Sequence, residues 1–215
     1  MADDRRTELA ELAATWSSCT SCRLSEGRTT VVVADGNPDA DLMFVGEGPG
    51  LHEDRQGLPF VGQAGQLLDQ LLAGIGRTRE DCYIANVVKC RPPGNRDPLP
   101  DEIEACRPKL VRQVEIVRPR VICTLGNFAT KLLSGRPYGV TRVHGQARRV
   151  TIGEHRTVLF PLFHPAAALY NAHLRPEIEA DLARVPVLIA LLDAAEQRGE
   201  EIGPLPEPPP RRGAR

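Results

Sequence analysis

Four short, largely apolar runs punctuate this chain, and each carries or leads into glycine or a polar side chain. Residues 41–46 run into Gly46-Glu47-Gly48-Pro49-Gly50, and residues 82–88 carry Asn86. Residues 120–125 open onto Gly126-Asn127, and residues 157–160 lead to His164-Pro165. Strands that read as continuously apolar are buried on both faces, which is the mark of a parallel sheet covered by helices. Helical periodicity separates the runs, so the predicted class is α/β. Such a sheet lines its strand ends along one edge, where open α/β folds bind ligands.

The remaining elements follow from spacing and punctuation. Leu9, Leu12, Ala13 and Trp16 recur at helical intervals over residues 5–18. Residues 30–34 read as a further strand, set off by the turn signal Asp35-Gly36-Asn37-Pro38. A helix is predicted over 64–75, with Leu67, Leu68, Leu71, Leu72 and Ile75 on its inner face. Residues 90–100 read as a loop, 101–117 as a helix, and a short helix follows Asn127 to about 134. Residues 135–147 read as a loop and 176–198 as one long helix. There is no internal repeat, so residues 1–202 form one predicted domain. The Pro- and Arg-rich stretch 203–215 reads as a disordered tail.

Composition narrows the function classes. A formal net charge of −1 gives no global signature of nucleic-acid binding, although a basic face can be offset by acidic helices elsewhere. No window approaches the roughly 18 apolar residues of a membrane span. The N-terminus lacks the apolar segment of a signal peptide. A cytoplasmic protein with no membrane partner is therefore expected. In that compartment the six cysteines argue for metal or free thiols over disulfides.

Two constellations carry chemistry. The first is the set of strand ends. Asn86 can donate and accept at once, as the edge of a pyrimidine requires. Phe60 can stack on a flat ring, and His164 can donate to an oxygen that gains negative charge as a bond breaks. The loop after residue 45 packs glycines with the carboxylates Glu47, Glu53 and Asp54. The second constellation is Cys19-x-x-Cys22 with the distant Cys90 and Cys106. Four thiolates of this kind suit zinc or a [4Fe–4S] cluster, and spacing does not choose between them. Cys82 and Cys123 fall inside apolar strands and read as inert core residues.

These motifs together resemble the type-4 uracil-DNA glycosylases, the iron–sulfur branch of the uracil-DNA glycosylase superfamily. The matching segments are Gly46-Glu47-Gly48-Pro49-Gly50; Glu53-Asp54 with Gly57-x-Pro59-Phe60-Val61-Gly62-x-Ala64-Gly65; Asn86-Val-Val-Lys89-Cys90-Arg91-Pro92-Pro93; and His164-Pro165-Ala166-Ala167-Ala168-Leu169. The resemblance spans roughly residues 8–195. It implies a three-layer α/β/α sandwich with a central, mainly parallel four-stranded sheet. It further implies hydrolysis of the N-glycosidic bond between uracil and deoxyribose in DNA, with the target base flipped out of the stack. A monomer acting on uracil-containing DNA is expected.

The resemblance also distributes roles. Asn86 reads the uracil edge, Phe60 stacks on the ring, and backbone groups near Glu47 and Gly48 bind a uracil oxygen. His164 stabilises the leaving uracil anion. Glu47 or Glu53 orients the water or the oxocarbenium ion. Related branches carry aspartate where this chain has Gly48, so the water-positioning carboxylate is left open between the two glutamates. Gly50 stands where other branches place a bulky residue against the thymine methyl, so thymine must be excluded from elsewhere, with Glu53 and its neighbours the candidates. Leu169 and Tyr170 are the predicted wedge. Lys89, Arg91, Arg96 and Arg175 are candidate phosphate contacts. Cys19, Cys22, Cys90 and Cys106 match the family's cluster ligands, and the implied [4Fe–4S] cluster is structural, with zinc the alternative. A superfamily branch that captures uracil-DNA without turnover uses a histidine in an insert before the last cluster cysteine. Residues 91–100 contain neither that histidine nor a long insert, which favours turnover.

Overall fold

The structure is a computed structural model that describes residues 2–199; the predicted tail 203–215 lies outside them. Among the described residues the chain forms β1 (Asp35–Gly36), β2 (Leu42–Gly46), β3 (Cys82–Asn86), β4 (Val121–Leu125), β5 (Arg148–Ile152) and β6 (His155–Leu162). The helices are α1 (Ala2–Ser17), α2 (Leu51–Gln56), α3 (Gln63–Gly74), α4 (Pro100–Val117), α5 (Asn127–Ser134), α6 (Val140–Val143), α7 (Pro165–Tyr170), α8 (Leu174–Leu182) and α9 (Val185–Gln197).

The sheet is larger than the expected four strands. Its six strands run in the order β1-β3-β2-β4-β6-β5. The inner four are parallel, and the two edges, β1 and β5, are antiparallel. Both edges escape the apolar-run signal, each for its own reason. β1 has only two residues, and β5 is mostly exposed, with three arginine or threonine side chains in solvent. The strand expected over 30–34 is instead an extended segment, tied to the sheet by the Val32 amide donating to the Lys89 carbonyl at 2.8 Å.

Alternation along each inner strand divides the core in two. Leu42, Phe44, Ile84, Cys123 and Phe160 face α3, α8 and α9. Met43, Val45, Tyr83, Ile122 and Leu159 face α1, α4 and α5. All five residues of β2, β3 and β4 are buried, which is why these strands show no polar alternation. The long helix expected over 176–198 is broken at Ala183-Arg184. Pro186 lies at the start of α9, where its missing N–H has no helical partner to lose. The loop expected over 135–147 contains the single turn α6.

Chain order places the site. β2 connects to β3 on one side and has β4 on the other, so the order reverses at β2. Register aligns the strand ends: Gly46 pairs with Asn86, and Leu125 with Leu162. The crevice of such a sheet opens outside the carboxyl end at the reversal, and here that is the loop after Gly46.

Candidate active site

A cleft of about 720 Å³ opens at that edge, and its walls include Glu47, Gly48, Glu53, Phe60, Asn86 and His164. The sequence-predicted base-site residues therefore meet in one place. Gly126-Asn127 does not join them as a wall. Gly126, at φ 85°, leaves room for the His164 side chain packed against it, and Asn127 accepts the Val140 amide at 2.7 Å.

Asn86 is 2% exposed, and its Oδ1 has no hydrogen-bond partner among the described residues. A buried acceptor left unpaired costs about 1–3 kcal/mol. It is therefore the mark of a ligand-facing group. Its strand end is held from behind by Lys89, whose ammonium donates to the Asn86 carbonyl at 2.8 Å and to Gln113 Oε1. Gln113 in turn donates to the Tyr83 hydroxyl and to the Val33 carbonyl. Burial lowers the Lys89 pKa to about 8. Lys89 is only 1% exposed, so the expected phosphate contact is corrected: it is an internal brace. The sequence context of a Pro- and Arg-rich loop concealed this.

His164 caps α7, and its Nδ1 accepts the Ala166 amide at 3.1 Å. An Nδ1 that accepts leaves the ring proton on Nε2. Burial pushes the His164 pKa down to about 4, against a weak opposing pull from Glu53, so the ring is neutral at pH 7. Its ring lies 5.6 Å from that of Phe60 at 25°.

Phe60 takes φ 55°, a left-handed conformation that costs a bulky residue about 1–3 kcal/mol. Three features hold it there. Gly65 has no Cβ to strike the Phe60 carbonyl, and Gly46 has none to strike its ring. The Arg79 guanidinium donates to the carbonyls of Pro59 and Phe60. Arg79 carries no motif signal, and the sequence reading missed it.

The two candidate carboxylates differ sharply. Glu53 Oε1 accepts the amides of Val61 (2.9 Å) and Gly62 (2.8 Å), and Oε2 accepts that of Gly50 (3.1 Å). A Cβ on residue 50 would strike Glu53 Oε2, which accounts for glycine there. The neighbouring Asp54 is also spent on backbone, accepting from Thr29 and Thr30. The Glu47 carboxylate accepts no hydrogen bond among the described residues, although its backbone carbonyl accepts the Val88 amide at 3.0 Å. Burial, with a smaller push from Asp97, raises its pKa to about 7. A side chain at Gly48 would meet Val88 Cγ2.

At the end of α7, Leu169 is 46% and Tyr170 93% exposed, and Tyr170 lines the cleft. Two of the remaining expected phosphate contacts are committed elsewhere: Arg96 is gripped by both oxygens of Glu102, and Arg175 pairs with Glu179. Arg91 bonds only the neutral Asn95 of the cleft wall and keeps its charge.

Cys19, Cys22, Cys90 and Cys106 line one small cavity together with Lys89, Lys109 and Arg28. Among the described residues no three His, Cys, Asp or Glu side chains are already arranged as metal ligands. The donor set nonetheless fits a thiolate-bound group. Arg28 bridges the Cys19 carbonyl and the Cys90 sulfur. Burial opposes ionisation of Cys19, but Ser21 and Lys109 outweigh it and hold the thiol near 7. Burial raises Cys90 to about 11 and also raises Cys106, as it raises Cys82 to about 12 and Cys123 upward. What separates the four cysteines from the two core thiols is that they share one cavity with cationic side chains. No helix among the described residues is long and apolar enough to cross a membrane.

Residues 33–184 match the uracil DNA glycosylase superfamily. The chain is 46% identical over 173 residues to a type-4 uracil-DNA glycosylase of Sulfurisphaera tokodaii, covering 78% of this chain and 79% of that protein. It is 45% identical over 172 residues to the type-4 uracil-DNA glycosylase of Archaeoglobus fulgidus, covering 78% and 86%. With that of Thermotoga maritima it shares 46% over 168 residues, covering 77% and 86%. The motifs, the cleft at the sheet edge and these similarities agree: the chain belongs to the uracil DNA glycosylase superfamily, among the type-4 uracil-DNA glycosylases.

Proposed function

We propose that the protein is a DNA-repair glycosylase that extrudes uracil from DNA and hydrolyses its N-glycosidic bond, leaving an abasic site. The observation that carries this reading is the buried Asn86 carboxamide with an unpartnered Oδ1, in a cleft shared with a neutral histidine. An amide offers one acceptor and one donor side by side. Uracil presents N3–H and O4 in the complementary order, and cytosine presents the reverse.

Phe60 stacks on the ring. Bond cleavage leaves negative charge on uracil and positive charge on the sugar, and a catalyst must meet both. The Nε2–H of His164 donates to the uracil oxygen that gains charge. It does so as a fixed neutral donor and keeps its proton. Glu47 is the carboxylate that orients the water and faces the oxocarbenium ion. Its oxygens are free to do so, whereas those of Glu53 are occupied by three backbone amides. Glu53 is a positioning residue that shapes the loop from Gly50 to Gly62. Leu169 and Tyr170 fill the gap left by the flipped nucleotide. Cys19, Cys22, Cys90 and Cys106 would hold a [4Fe–4S] cluster, which, when bound, cross-links distant segments and takes no part in the hydrolysis.

The deciding assay is release of free uracil from single-stranded and duplex oligonucleotides. Wild-type protein releases uracil and leaves an abasic site, and Asn86→Ala and His164→Ala each lose about 100-fold or more, on the scale of losing one oxyanion donor. Near wild-type rates in both variants overturn these assignments. A denaturation-resistant protein–DNA band in place of turnover overturns the enzyme reading.

A further inference from the structure

Most of the candidate positive charge near the base cleft is already engaged. Arg96 at its wall is neutralised by Glu102, Lys89 is buried, and Arg175 is paired; Arg91, bonded to the neutral Asn95, keeps its charge. The chain as a whole has a formal charge of −1. A DNA strand nevertheless brings one phosphate per nucleotide, and those charges need a counterpart.

The counterpart lies along the β5 edge. One groove of about 550 Å³ is lined by Arg107, Arg136, Arg148 and Arg149. A second, of about 350 Å³, is lined by Arg136, Arg148, Tyr138 and Arg142. The two share Ser134, Arg136 and Arg148 and so adjoin as one channel, and no carboxylate lines either part. Arg136 and Arg148 are exposed, and neither forms an ion pair among the described residues. The channel is tied to the active site through α6, whose Val143 lines it. The Val140 amide of α6 bonds Asn127, which follows the glycine that His164 packs on. The His144 ring, next in the chain, lies 4.4 Å from that of Phe163, the residue before His164.

We propose that this channel binds the sugar–phosphate backbone of the DNA flanking the extruded nucleotide, as a phosphate site separate from the base cleft. The inference rests on the glycosylase reading. Guanidinium forks match phosphate oxygens bidentately, and Ser, Thr and Tyr hydroxyls are the usual accompanying donors. Arg136 and Arg148, the two arginines common to both grooves, supply two such forks for neighbouring phosphates. Arg107 is paired with Glu104 and Glu115 lies beside Gly153 at the far end of the groove, so the free positive charge of the channel is that of Arg136 and Arg148. A local patch of this size is compatible with a chain of no net basic character.

The test is an Arg136→Ala/Arg148→Ala double variant, with Arg136→Glu/Arg148→Glu as a stronger second. Dissociation constants for a 30-base-pair uracil duplex are measured across a salt series, alongside single-turnover uracil release from a saturating single-stranded trinucleotide. The expected result is a slope of log affinity against log salt reduced by about 2, at about 0.9 per phosphate contact. Duplex affinity at low salt falls at least tenfold, and the glutamate pair loses more. Trinucleotide turnover stays within twofold, with an unchanged melting temperature. An unchanged slope and duplex affinity overturn the proposal, including the case in which an acidic protein surface is the occupant. Equal loss on the trinucleotide also overturns it, because the residues then act on the cleft or the fold. If the wild-type protein releases uracil from neither substrate, the glycosylase reading has failed, a result distinct from both.

Discussion

The Arg79 guanidinium holds the backbone carbonyl of Phe60 at 3.1 Å and that of Pro59 at 2.7 Å. The same group pairs with Asp35 on β1 and Asp69 on α3. One side chain thus joins a sheet edge, a helix and the left-handed turn that presents the stacking ring. Those acidic partners raise the Arg79 pKa further despite its burial, so the fork is charged at every working pH. Replacing Arg79 with Lys keeps the charge and loses the fork. Each charged hydrogen bond lost costs about 1.5–3 kcal/mol. Arg79→Lys is expected to lower the melting temperature by several degrees and to weaken inhibition by free uracil about tenfold. Calorimetry and product-inhibition assays check both; intact uracil binding would show that Phe60 needs no such brace.

Glu53→Gln and Glu47→Gln should fail in opposite ways. An amide at position 53 turns one acceptor into a donor facing backbone N–H groups, at a cost of about 1.5–3 kcal/mol for each charged bond lost. Urea midpoints should fall accordingly. Glu47→Gln should abolish most turnover while the protein becomes more stable at pH 8. A carboxyl whose folded pKa is raised stabilises the fold at low pH, and that contribution is lost as pH climbs through about 7. The amide has no such loss. If Glu53→Gln keeps full stability and loses turnover alone, the two roles are exchanged.

The acid limb of the pH–rate profile should report Glu47. The ionised form orients water, so kcat/KM is expected to fall about tenfold per pH unit below about 7. Burial is the larger cause of that raised value and Asp97 the smaller, so Asp97→Asn should move the limb to lower pH without abolishing it. Salt should shrink the Asp97 contribution by screening. A limb unmoved by Asp97→Asn and still present in Glu47→Gln belongs to another group.

The wedge should matter only where there is a stack to fill. Leu169 and Tyr170 are exposed at the end of α7, with Tyr170 on the cleft wall, and flipping from a duplex costs a few kcal/mol of unstacking and unpairing. A Leu169→Ala/Tyr170→Ala variant is expected to lose at least tenfold on duplex uracil and much less on single strands. Equal losses on both would place these side chains in base binding.

The four cysteines gather segments that lie far apart in the chain: the end of α1, the loop after β3, and α4. A bound metal group linking such segments can contribute on the order of 10 kcal/mol. Anaerobically purified protein is expected to be brown. Cys106→Ser should bleach that colour and lower the melting temperature by more than ten degrees. A colourless protein with stoichiometric zinc would assign the site to the other metal.

Much of this was readable in one dimension. The apolar runs of β2, β3, β4 and β6 declare a buried parallel sheet because burial on both faces removes polar alternation. Glu47, Asn86 and His164 were legible because a polar residue closing such a run has no structural reason to be there. The cysteines were legible as a set by their spacing, and the structure gathers all four around one cavity. Tertiary structure decided the rest. Arg79 and Asp35 are 44 residues apart, and Lys89 meets Gln113 across 24. Lys89 looks like surface charge beside Cys90-Arg91 and proves to be a buried brace. Glu53 and Glu47 are equivalent on paper, and only the folded loop spends one on backbone amides and leaves the other facing the cleft. Periodicity and punctuation are local signals, fixed by the burial of each residue and its near neighbours. Which charge meets which carbonyl depends on distances that exist only once the sheet has closed.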